Sequence, residues 1–371
     1  MRIGILSPVA GFQGGIERLS FELARGLRGR GHRVVLLPGG RPGLDPGRFQ
    51  GAFDAFQPGE PLDVVLAQKA LDLEALDAAG DAPVVLAAHD HDHTCPRAHR
   101  YLPLTKEPCH RAPGVGCALR GCLLVRRSGG CLPFGLADLW ALLDDLRRLA
   151  LRGGFLACSD YIGARLQDAG VPASRIRVAR PCPAEDDAPL LPRPTAPRLL
   201  FVGQLLRGKG VAHAIDALRW LPGAHLTVVG DGPSRQELEA QARRVAPGRV
   251  TFEGFVPAEQ VHRHYDRASV VLVPSHWPEP FGMIGVEAMR RGRPVIGADH
   301  GGIPEWLTDG EGGFKFTPGD PRALAAAAGR ALADRGLGER ARAAAQARFS
   351  HERYLAQVEE ALASAAGGRG A

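Results

Sequence analysis

The sequence predicts an α/β protein with two domains, each built on a doubly wound parallel sheet. Short apolar runs rich in β-branched residues alternate with amphipathic segments along most of the 371 residues, a length that suits two domains. The alternation stops in the proline-rich, acidic stretch 181–197, which is typical of an interdomain linker, and then starts again. Repeated strand–helix units of this kind predict parallel sheets that bind ligand at the carboxyl ends of their strands.

The first domain is predicted to span residues 1–180. Its predicted strands are short apolar runs, at residues 2–6, 32–37, 62–66, 83–88, 154–158 and 176–179. Its predicted helices share apolar residues at every third or fourth position: 16–29, 69–79, 136–151 and 161–168. A long Cys-rich loop, 89–131, interrupts them, and from Cys95 to Cys131 it has no evident secondary structure.

The second domain is predicted to span residues 198–349. Its predicted strands are 198–202, 225–229, 250–252 and 270–273, and its predicted helices are 211–220, 234–246, 283–291 and 322–333. A final helix over 350–365 and a disordered, glycine-rich tail from Gly367 complete the chain to residue 371.

The composition is that of a globular, basic protein. It is 45% hydrophobic and 23% charged, with a formal charge of +6. Arginines recur in two groups, 25–33 and 120–148, and either form a solvated surface with general affinity for anions or a patch for an anionic membrane surface. Only 6% of residues are aromatic and no recognised binding motif occurs, which argues against nucleic acid as a partner.

The sequence also predicts a cytoplasmic location. The segment Met1–Pro8 is short and strand-like, unlike a signal peptide. No window holds the run of about eighteen apolar residues that a membrane-spanning helix needs. A cytoplasmic protein with these arginines can rest on the inner face of a membrane.

The most informative segment, 275–289, reads SHWPEPFGMIGVEAM. It follows the apolar run 270–273, and Pro280 and Gly282 predict a tight turn between Glu279 and a short helix that contains Glu287. Free N–H groups at a helix start attract phosphate, and carboxylates beside them bind hydroxyls. The segment therefore suits a nucleotide-sugar donor, with candidate contacts at Glu279, Pro280, Phe281, Gly282, Met283 and Glu287.

The pattern E-P-F-G-x-x-x-x-E, followed by Arg293-Pro-Val-Ile-Gly and Gly301-Gly-Ile-Pro-Glu305, resembles the donor-site signature of family 4 retaining glycosyltransferases with the GT-B fold, the glycosyl transferases group 1. The resemblance implies two Rossmann-like domains facing a central cleft, acceptor-side then donor-side, with the final helix crossing back to the first domain. Glu279 would hold the transferred sugar and Glu287 the ribose.

The resemblance also implies a reaction. A hexosyl unit would pass from a UDP- or GDP-linked sugar to a hydroxyl of a glycan, lipid or small-molecule acceptor, with retention of configuration. In this front-face mechanism the leaving phosphate draws the proton from the incoming hydroxyl, and no cofactor is required.

The loop 201–210, FVGQLLRGKG, resembles the family pattern G-R-L-x-x-x-K-G, whose arginine and lysine neutralise the leaving diphosphate. Gly203 and Lys209 match, but Gln204 stands where the family has arginine. Arg207 lies on the same loop and is a candidate for the missing charge. With Lys209 alone, stabilisation of the transition state would fall by roughly a few kcal/mol.

Further glycine-containing loops resemble family loops that border the donor, although plain turns are the alternative for each. Gly14 and Gly15 follow the first strand, where absent side chains allow a ligand to approach the backbone, and in the resembled family this loop lies near the donor phosphate or the acceptor. The corresponding candidates in the second domain are Gly230, Phe255, Val256 and Gly301, with Phe255 and Val256 beside the base.

Alternating histidines and aspartates follow the strand 83–88 in the run AHDHDHTC. In the resembled family one histidine here, matched by His89, faces the transferred sugar. Metal ligation by the alternating side chains and a simple polar loop are the alternatives. His91 and His93 are candidates for acceptor contact.

Five of the seven cysteines cluster at positions 95, 109, 117, 122 and 131. No C-x-x-C pair occurs, so zinc-ribbon spacing is absent, and a cytoplasmic location disfavours disulfides. A structural Zn²⁺, or an iron–sulfur cluster, held by Cys109, Cys117, Cys122 and Cys131 would order the long loop. Disulfides and free thiols are the alternatives.

Two rival functions remain open on the sequence alone. Gln204 in place of arginine is compatible with a non-catalytic GT-B partner subunit that binds donor without turnover. A sugar phosphorylase of the same fold would release sugar in a phosphate-dependent reaction. A sugar-nucleotide epimerase would lack the E-P-F-G run, and no carboxylate pair suits a double-displacement glycosidase.

Overall fold

The computed structural model describes residues 1–38, 41–69, 80–105, 107–126, 134–184 and 189–367. The chain divides into two compact units, Met1–Ala184 with His351–Ala371 and Glu185–Ser350. Most of the predicted helix 69–79, as well as Cys131 and the tail after Gly367, lies outside the described residues.

The first unit is built on a parallel sheet of six strands, in the order β10 (Ile176–Val178), β9 (Gly153–Ala157), β6 (Val84–Ala88), β5 (Val64–Gln68), β1 (Arg2–Leu6) and β3 (Arg33–Leu36). Its central strands β5 and β6 are buried along their whole length, as expected for a parallel sheet covered on both faces. The strands of this unit are β1 (Arg2–Leu6), β2 (Val9–Ala10), β3 (Arg33–Leu36), β4 (Arg41–Pro42), β5 (Val64–Gln68), β6 (Val84–Ala88), β7 (Leu124–Arg126), β8 (Phe134–Leu136), β9 (Gly153–Ala157) and β10 (Ile176–Val178).

Amphipathic helices accompany this sheet. In the first of them Leu19, Leu23 and Leu27 recur at every fourth position and are buried. The helices are α1 (Gly15–Gly29), α2 (Pro46–Gln50), α3 (Val115–Leu119), α4 (Leu139–Arg152) and α5 (Asp160–Asp168). The final helix of the chain, His351–Gly367, also belongs to this unit and buries Leu355, Val358 and Leu362.

Two expectations for the first unit were wrong in part. The predicted helix 136–151 begins only at Leu139, because the Asp138 side chain caps it by accepting hydrogen bonds from the amides of Trp140 and Ala141. The Cys-rich segment does contain secondary structure, namely the short helix α3 and the antiparallel hairpin of β7 and β8. These elements have three to five residues each, too few for periodicity to reveal them.

The second unit has its own sheet of six parallel strands, in the order β13 (Val250–Gly254), β12 (His225–Val229), β11 (Arg198–Val202), β14 (Val270–Val273), β15 (Val295–Ala298) and β16 (Gly313–Phe316). The run Val270–Val273 forms the buried strand β14 beside β11, as its apolar sequence predicts. The strands are β11 (Arg198–Val202), β12 (His225–Val229), β13 (Val250–Gly254), β14 (Val270–Val273), β15 (Val295–Ala298) and β16 (Gly313–Phe316).

The helices of the second unit include two that the sequence analysis did not predict, α8 (Ala258–Arg267) and α11 (Leu337–Arg348). In α8 only Val261 and Tyr265 are large apolar residues, and α11 packs through small alanines, so neither has a strong apolar stripe. The helices are α6 (Val211–Ala217), α7 (Arg235–Val245), α8 (Ala258–Arg267), α9 (Met283–Arg290), α10 (Pro321–Ala333) and α11 (Leu337–Arg348). Every helix in the described part of the chain is too short or too polar to cross a membrane.

Candidate functional site

Most of the predicted donor residues of the second unit lie on loops at one edge of its sheet, and Met283 and Glu287 lie on the helix α9. All six strands are parallel, so their carboxyl ends share that edge. The loops of Lys209, Phe255 and Glu279 follow β11, β13 and β14. Gly230 follows β12, and Gly301 follows β15. The topology therefore gathers segments that are far apart in the sequence.

An ion pair joins two of these loops. The Lys209 Nζ lies 2.7 Å from the Glu279 Oε1. The other carboxylate oxygen, Oε2, accepts hydrogen bonds from the Ser275 hydroxyl at 2.6 Å and from the Trp277 indole N–H at 3.1 Å. The Lys209 ammonium also lies 5.1 Å from the centroid of the Trp277 ring. The carboxylate thus has a cation and two neutral donors around it.

Opposing effects act on the charge of Glu279. Burial by itself would raise the pKa of this carboxyl, because it removes water from the charged form. The charge of Lys209 and the hydrogen bonds from Lys209, Ser275 and Trp277 outweigh burial and hold the pKa below its ordinary value. Glu279 is therefore ionised at neutral pH, and its oxygens are oriented by fixed donors.

The Lys209 loop is attached to the Glu279 loop through its backbone. The carbonyl oxygen of Gly208 accepts hydrogen bonds from the amides of His276, at 2.8 Å, and Trp277, at 3.1 Å. Gly210 has a φ of +73°, and a Cβ there would lie 1.8 Å from the carbonyl oxygen of Pro274. The close approach that places Lys209 beside Glu279 therefore requires glycine at position 210.

Gly301 makes a similar approach from the loop after β15. Its φ is +63°, and a Cβ there would lie 2.4 Å from the carbonyl oxygen of Glu279. The amide of Gly302 donates a 2.7 Å hydrogen bond to the same oxygen. The predicted close contact of Gly301 is thus one with the backbone of Glu279.

Three glycines meet at the ends of β11, β12 and β13. A Cβ on Gly230 would lie 2.0 Å from the carbonyl oxygen of Gly203, and the Gly230 amide donates a 2.7 Å hydrogen bond to Gly254. Phe255 follows directly and is 58% exposed, while Val256 is half-buried. The edge therefore offers bare backbone next to an exposed aromatic ring, which suits a nucleotide base.

The turn before α9 is formed by Gly282, which has a φ of +90°. Pro280 and Phe281 are buried, and the Phe281 carbonyl oxygen accepts a 2.6 Å hydrogen bond from the Trp306 indole. Met283, the first helical residue, is half-buried. Pro280 and Phe281 therefore shape this turn through packing, and their side chains are turned away from solvent.

The second glutamate of the segment, Glu287, accepts a 2.8 Å hydrogen bond from the Tyr265 hydroxyl. Tyr265 is buried and lies on α8. It was missed by the sequence analysis, as were Ser275 and Trp277. The available signals were the closeness of Ser275 and Trp277 to Glu279 in the chain and the single aromatic residue in the polar segment 258–267.

Of the other two candidates of this loop, Arg207 pairs with a different carboxylate. The Arg207 guanidinium lies 3.5 Å from the Glu237 carboxylate, and both side chains are more than half exposed. Gln204 is exposed. Among the described side chains, Lys209 is the cation that contacts Glu279.

In the first unit, His89 follows β6 and contacts the end of the neighbouring strand β5. Its Nε2 lies 2.6 Å from the Gln68 Oε1. Burial lowers the pKa of His89 to about 4, with the charge of Lys69 adding to the shift and that of Asp90 opposing it. His89 is therefore a neutral imidazole at pH 7, and one ring nitrogen is already engaged.

A lysine, Lys69, holds the aspartates of the His–Asp run. Its Nζ lies 2.6 Å from Asp90 and 3.1 Å from Asp92. Burial, followed by the charge of Asp90, raises the pKa of Asp92 to about 6. In the described ranges, no three His, Cys, Asp or Glu residues are grouped to hold a metal ion. The sequence analysis did not single out Lys69, which it placed in a helix.

His91 and His93 are 2% and 0% exposed. The His91 ring packs edge-on against Tyr161, with centroids 5.7 Å apart. Burial lowers the pKa of His93 to about 4, and neither of its ring nitrogens has a hydrogen-bond partner among the described residues. This burial favours an internal role for both residues over the predicted acceptor contact.

Three of the four predicted metal ligands, Cys109, Cys117 and Cys122, are described, and each is a free thiol. Burial raises the pKa of Cys122, and the neighbouring thiols of Cys117, Cys95 and Cys109 add to the shift. Within the part of the chain that the structure describes, no three of these thiols are grouped to hold a metal ion. Cys131 is outside the described residues.

Gly14 and Gly15 are exposed at the start of α1, where they follow β2. Glu17 lies in the first turn of that helix and is buried. The predicted glycine-rich entry to a helix is thus present, with bare backbone facing solvent.

Comparison with known proteins identifies the second unit. Residues 184–348 match the family profile described as Glycosyl transferases group 1. This range contains Lys209, Glu279, Glu287 and the glycines around them. The second unit belongs to the glycosyl transferases group 1 family. The resemblance carried by the E-P-F-G segment is therefore confirmed for this part of the chain.

Relatives of the group 1 domain include glycogen synthase of Mycobacterium tuberculosis, 36% identical over 166 residues, 43% of this chain and 40% of that protein. The lipopolysaccharide core biosynthesis glycosyltransferase LpsE of Rhizobium meliloti is 32% identical over 187 residues, 49% of this chain and 54% of that protein. The chain thus matches about half or less of the length of these relatives.

Solved structures resemble the whole chain. Anabaena HepE in complex with UDP and glucose has a TM-score of 0.69 at 23% identity, over 98% of this chain and 100% of that one. Sucrose-phosphate synthase from Thermosynechococcus elongatus has a TM-score of 0.69 at 22% identity, over 97% of both chains. The likeness confirms the predicted GT-B fold, in which the group 1 domain is the second of two parallel-sheet units.

Proposed function

We propose that the protein is a retaining glycosyltransferase that moves a hexosyl unit from a nucleoside diphosphate sugar to a hydroxyl acceptor. The observation that carries the proposal is the Lys209–Glu279 pair, at 2.7 Å, on the strand-end edge of the group 1 domain. The Lys209 ammonium, which would bind phosphate, therefore lies next to the Glu279 carboxylate, which would bind sugar hydroxyls. The exposed ring of Phe255 and the bare backbone of Gly203 and Gly230 are available on the same edge for the nucleotide.

Unused hydrogen-bonding capacity supports these roles. An ammonium has three N–H donors, and Glu279 takes one of them, so Lys209 retains donors for the diphosphate. An ionised carboxylate accepts about four hydrogen bonds, and Glu279 receives three, from Lys209, Ser275 and Trp277. One acceptor position therefore remains for a hydroxyl of the sugar, while Glu287 is assigned to the ribose.

In the proposed reaction the bond between the anomeric carbon and the leaving phosphate oxygen breaks. A bond forms between the same carbon and the acceptor oxygen, on the same face, and the acceptor proton passes to the leaving phosphate. Lys209 stabilises the negative charge that develops on that phosphate, so this chemistry needs no metal cofactor. His89, a neutral ring hydrogen-bonded to Gln68, is assigned to the sugar.

The donor is proposed to be UDP-linked. HepE, which shares the fold, has been crystallised with UDP-glucose, and that supports a uridine nucleotide over the GDP-linked alternative. The acceptor is proposed to be a glycan or lipid, in line with LpsE and the amylovoran biosynthesis glycosyltransferase AmsK of Erwinia amylovora among the relatives.

Thermal unfolding in the presence of a panel of UDP- and GDP-linked sugars tests the donor class, because a ligand that binds the folded state raises the midpoint. We expect UDP-hexoses to raise it and free hexoses to leave it unchanged. Proton NMR of the product then tests retention. An anomeric configuration opposite to that of the donor would reject the retaining mechanism.

The exposed Gln204 favours one rival, a non-catalytic partner subunit. Such a subunit would bind the UDP-sugar but would neither transfer nor hydrolyse it. Release of UDP on prolonged incubation with donor would exclude this rival, and the same assay with inorganic phosphate would reveal a phosphorylase.

A further inference from the structure

Two helices of the group 1 domain, α8 and α9, are joined at their carboxyl ends by arginine side chains. The Arg293 Nε donates a 2.9 Å hydrogen bond to the carbonyl oxygen of Tyr265, and its Nη2 donates a 3.0 Å bond to that of Asp266. Both carbonyls lie in the last turn of α8, where a cation complements the helix dipole. Arg291 adds a second connection, because its Nε and Nη2 lie 2.9 and 2.8 Å from the two carboxylate oxygens of Asp266.

These arginines follow directly after α9, the helix that carries Glu287. The helix ends at Arg290, and the amide of Arg293 donates a 2.9 Å hydrogen bond back to the carbonyl oxygen of Ala288. Arg293 is 0% exposed, so packing as well as hydrogen bonding holds its guanidinium. The backbone of Arg293 is therefore attached to α9 and its side chain to α8, and the relative position of the two helices is fixed.

The contact that depends on this relative position is the hydrogen bond between Tyr265 and Glu287. The Tyr265 hydroxyl donates to the Glu287 Oε2 at 2.8 Å. The tyrosine is 3% exposed, whereas Glu287 is half-buried. A glutamate side chain rotates about several bonds, and a hydrogen bond from a phenol held by packing restricts that rotation before a ligand binds. Less conformational entropy is then lost when the carboxylate binds a ligand.

We propose that Tyr265 is a positioning residue that orients the Glu287 carboxylate toward the ribose hydroxyls of the donor. The inference rests on the proposed function, in which Glu287 binds the ribose, and it adds a residue that acts through Glu287. The arginines already join the two helices, so the Tyr265 hydroxyl is not required for that connection. Arg293 contributes one step further from the ligand, by holding the end of α8.

Calorimetric titration with UDP and with 2′,3′-dideoxy-UDP, which lacks both ribose hydroxyls, tests the proposal. Tyr265→Phe retains the buried ring and removes only the donor. We expect this variant to bind UDP about three- to tenfold more weakly than the wild type does, because the hydrogen bond that orients Glu287 is lost. It should bind dideoxy-UDP as tightly as the wild type does. A tyrosine with a merely structural role would instead weaken the binding of both nucleotides alike.

The variant Glu287→Ala provides a second comparison. Adding Tyr265→Phe to it should cause no further loss of UDP affinity, because the carboxylate that the tyrosine orients is absent. Arg293→Lys disturbs the same helix end independently, and it should weaken the binding of UDP but not that of dideoxy-UDP. Tyr354→Phe is the matched control, at a buried tyrosine of the first unit, and it should bind UDP as the wild type does.

Urea unfolding checks that each variant is folded, and Arg293→Lys decides the question by the same two nucleotides if Tyr265→Phe is not. Unchanged UDP affinity in Tyr265→Phe, or equal losses for UDP and dideoxy-UDP, would overturn the role of Tyr265 and leave the proposed function intact. Wild-type protein that binds both nucleotides equally well would overturn the ribose contact of Glu287 and this inference with it. A wild type that binds no UDP would reject the proposed UDP-linked donor as well.

Discussion

Lys209 and Glu279 lie 70 positions apart in the sequence, yet the ammonium of one is 2.7 Å from the carboxylate of the other. The family resemblance implies that the lysine contacts the donor phosphate and that the glutamate contacts the sugar. The structure shows that each is also the electrostatic partner of the other. A buried carboxylate is costly without a counter-ion, so Lys209 keeps Glu279 charged and in place.

The contact of Gly301 with the backbone of Glu279 leads to a prediction about stability. Gly301→Ala should lower the free energy of unfolding by about 2–4 kcal/mol, because the new Cβ would clash with the Glu279 carbonyl in addition to straining φ. Gly310→Ala is the matched control: its φ is +82°, but no atom lies within 4 Å of a Cβ there. Gly310→Ala should lower the free energy of unfolding by about 1 kcal/mol. Urea unfolding measures the free energy of unfolding of both variants. Equal losses of stability in Gly301→Ala and Gly310→Ala would contradict a clash at position 301.

Glu287 provides a test of the ribose contact. Glu287→Ala should weaken UDP binding by about 1.5–3 kcal/mol, roughly tenfold to more than a hundredfold, through the loss of charge-assisted hydrogen bonds. Calorimetry measures this affinity. Glu311→Ala, at an exposed acid of the same unit, is the control and should bind as the wild type does. An unchanged affinity in Glu287→Ala would remove Glu287 from the donor site.

The buried His93 predicts a loss of stability in mild acid. Its pKa is about 4 in the folded protein and ordinarily 6.5, so the unfolded chain takes up the proton first as the pH falls. The stabilisation is complete above the ordinary pKa and is lost as the pH falls toward 4. Between pH 7 and pH 5 the loss should be about 2 kcal/mol.

His93→Gln should remove that part of the pH dependence, whereas His262→Gln, on the polar helix α8, should retain it. Urea titrations of the wild type and both variants at pH 7 and pH 5 give the comparison. Identical pH dependence in the wild type and His93→Gln would contradict a buried, neutral His93.

The metal interpretation of the cysteines stays a prediction: no three of the described cysteines are grouped to hold a metal ion, and Cys131 lies outside the described residues. Elemental analysis should find about one zinc per chain, bound by four thiolates. Cys122→Ser should lose the zinc, whereas Cys158→Ser, at a buried cysteine that follows β9, should keep it. Metal-free wild-type protein with an ordered Cys-rich segment would reject the prediction.

Much of the fold follows from the sequence because parallel strands are continuous apolar runs. Val270–Val273 and Val84–Ala88 were predicted on this basis, and both form strands. Elements with weaker signals were missed: α11 packs with alanines, and Lys315 interrupts the apolar character of β16. The hairpin of β7 and β8 is too short to show alternation.

The candidate site could be predicted as a set of segments, because each follows a strand of one parallel sheet. Its contacts could not be predicted, since they depend on how loops approach one another in space. The bonds of Glu279 to Lys209 and of Glu287 to Tyr265 each join different loops or helices. The pairing of Arg207 with Glu237 likewise depends on the position of α7, which no local pattern reveals.

Calorimetric titration of UDP into the wild type and Lys209→Ala tests the central claim most directly, with Arg207→Ala as a cationic control from the same loop. We expect saturable binding to the wild type, a loss of about 1.5–3 kcal/mol in Lys209→Ala, and near wild-type affinity in Arg207→Ala. Equal affinity in the wild type and Lys209→Ala, or no binding of UDP or GDP to the wild type, would contradict a nucleotide-sugar site built on Lys209 and Glu279.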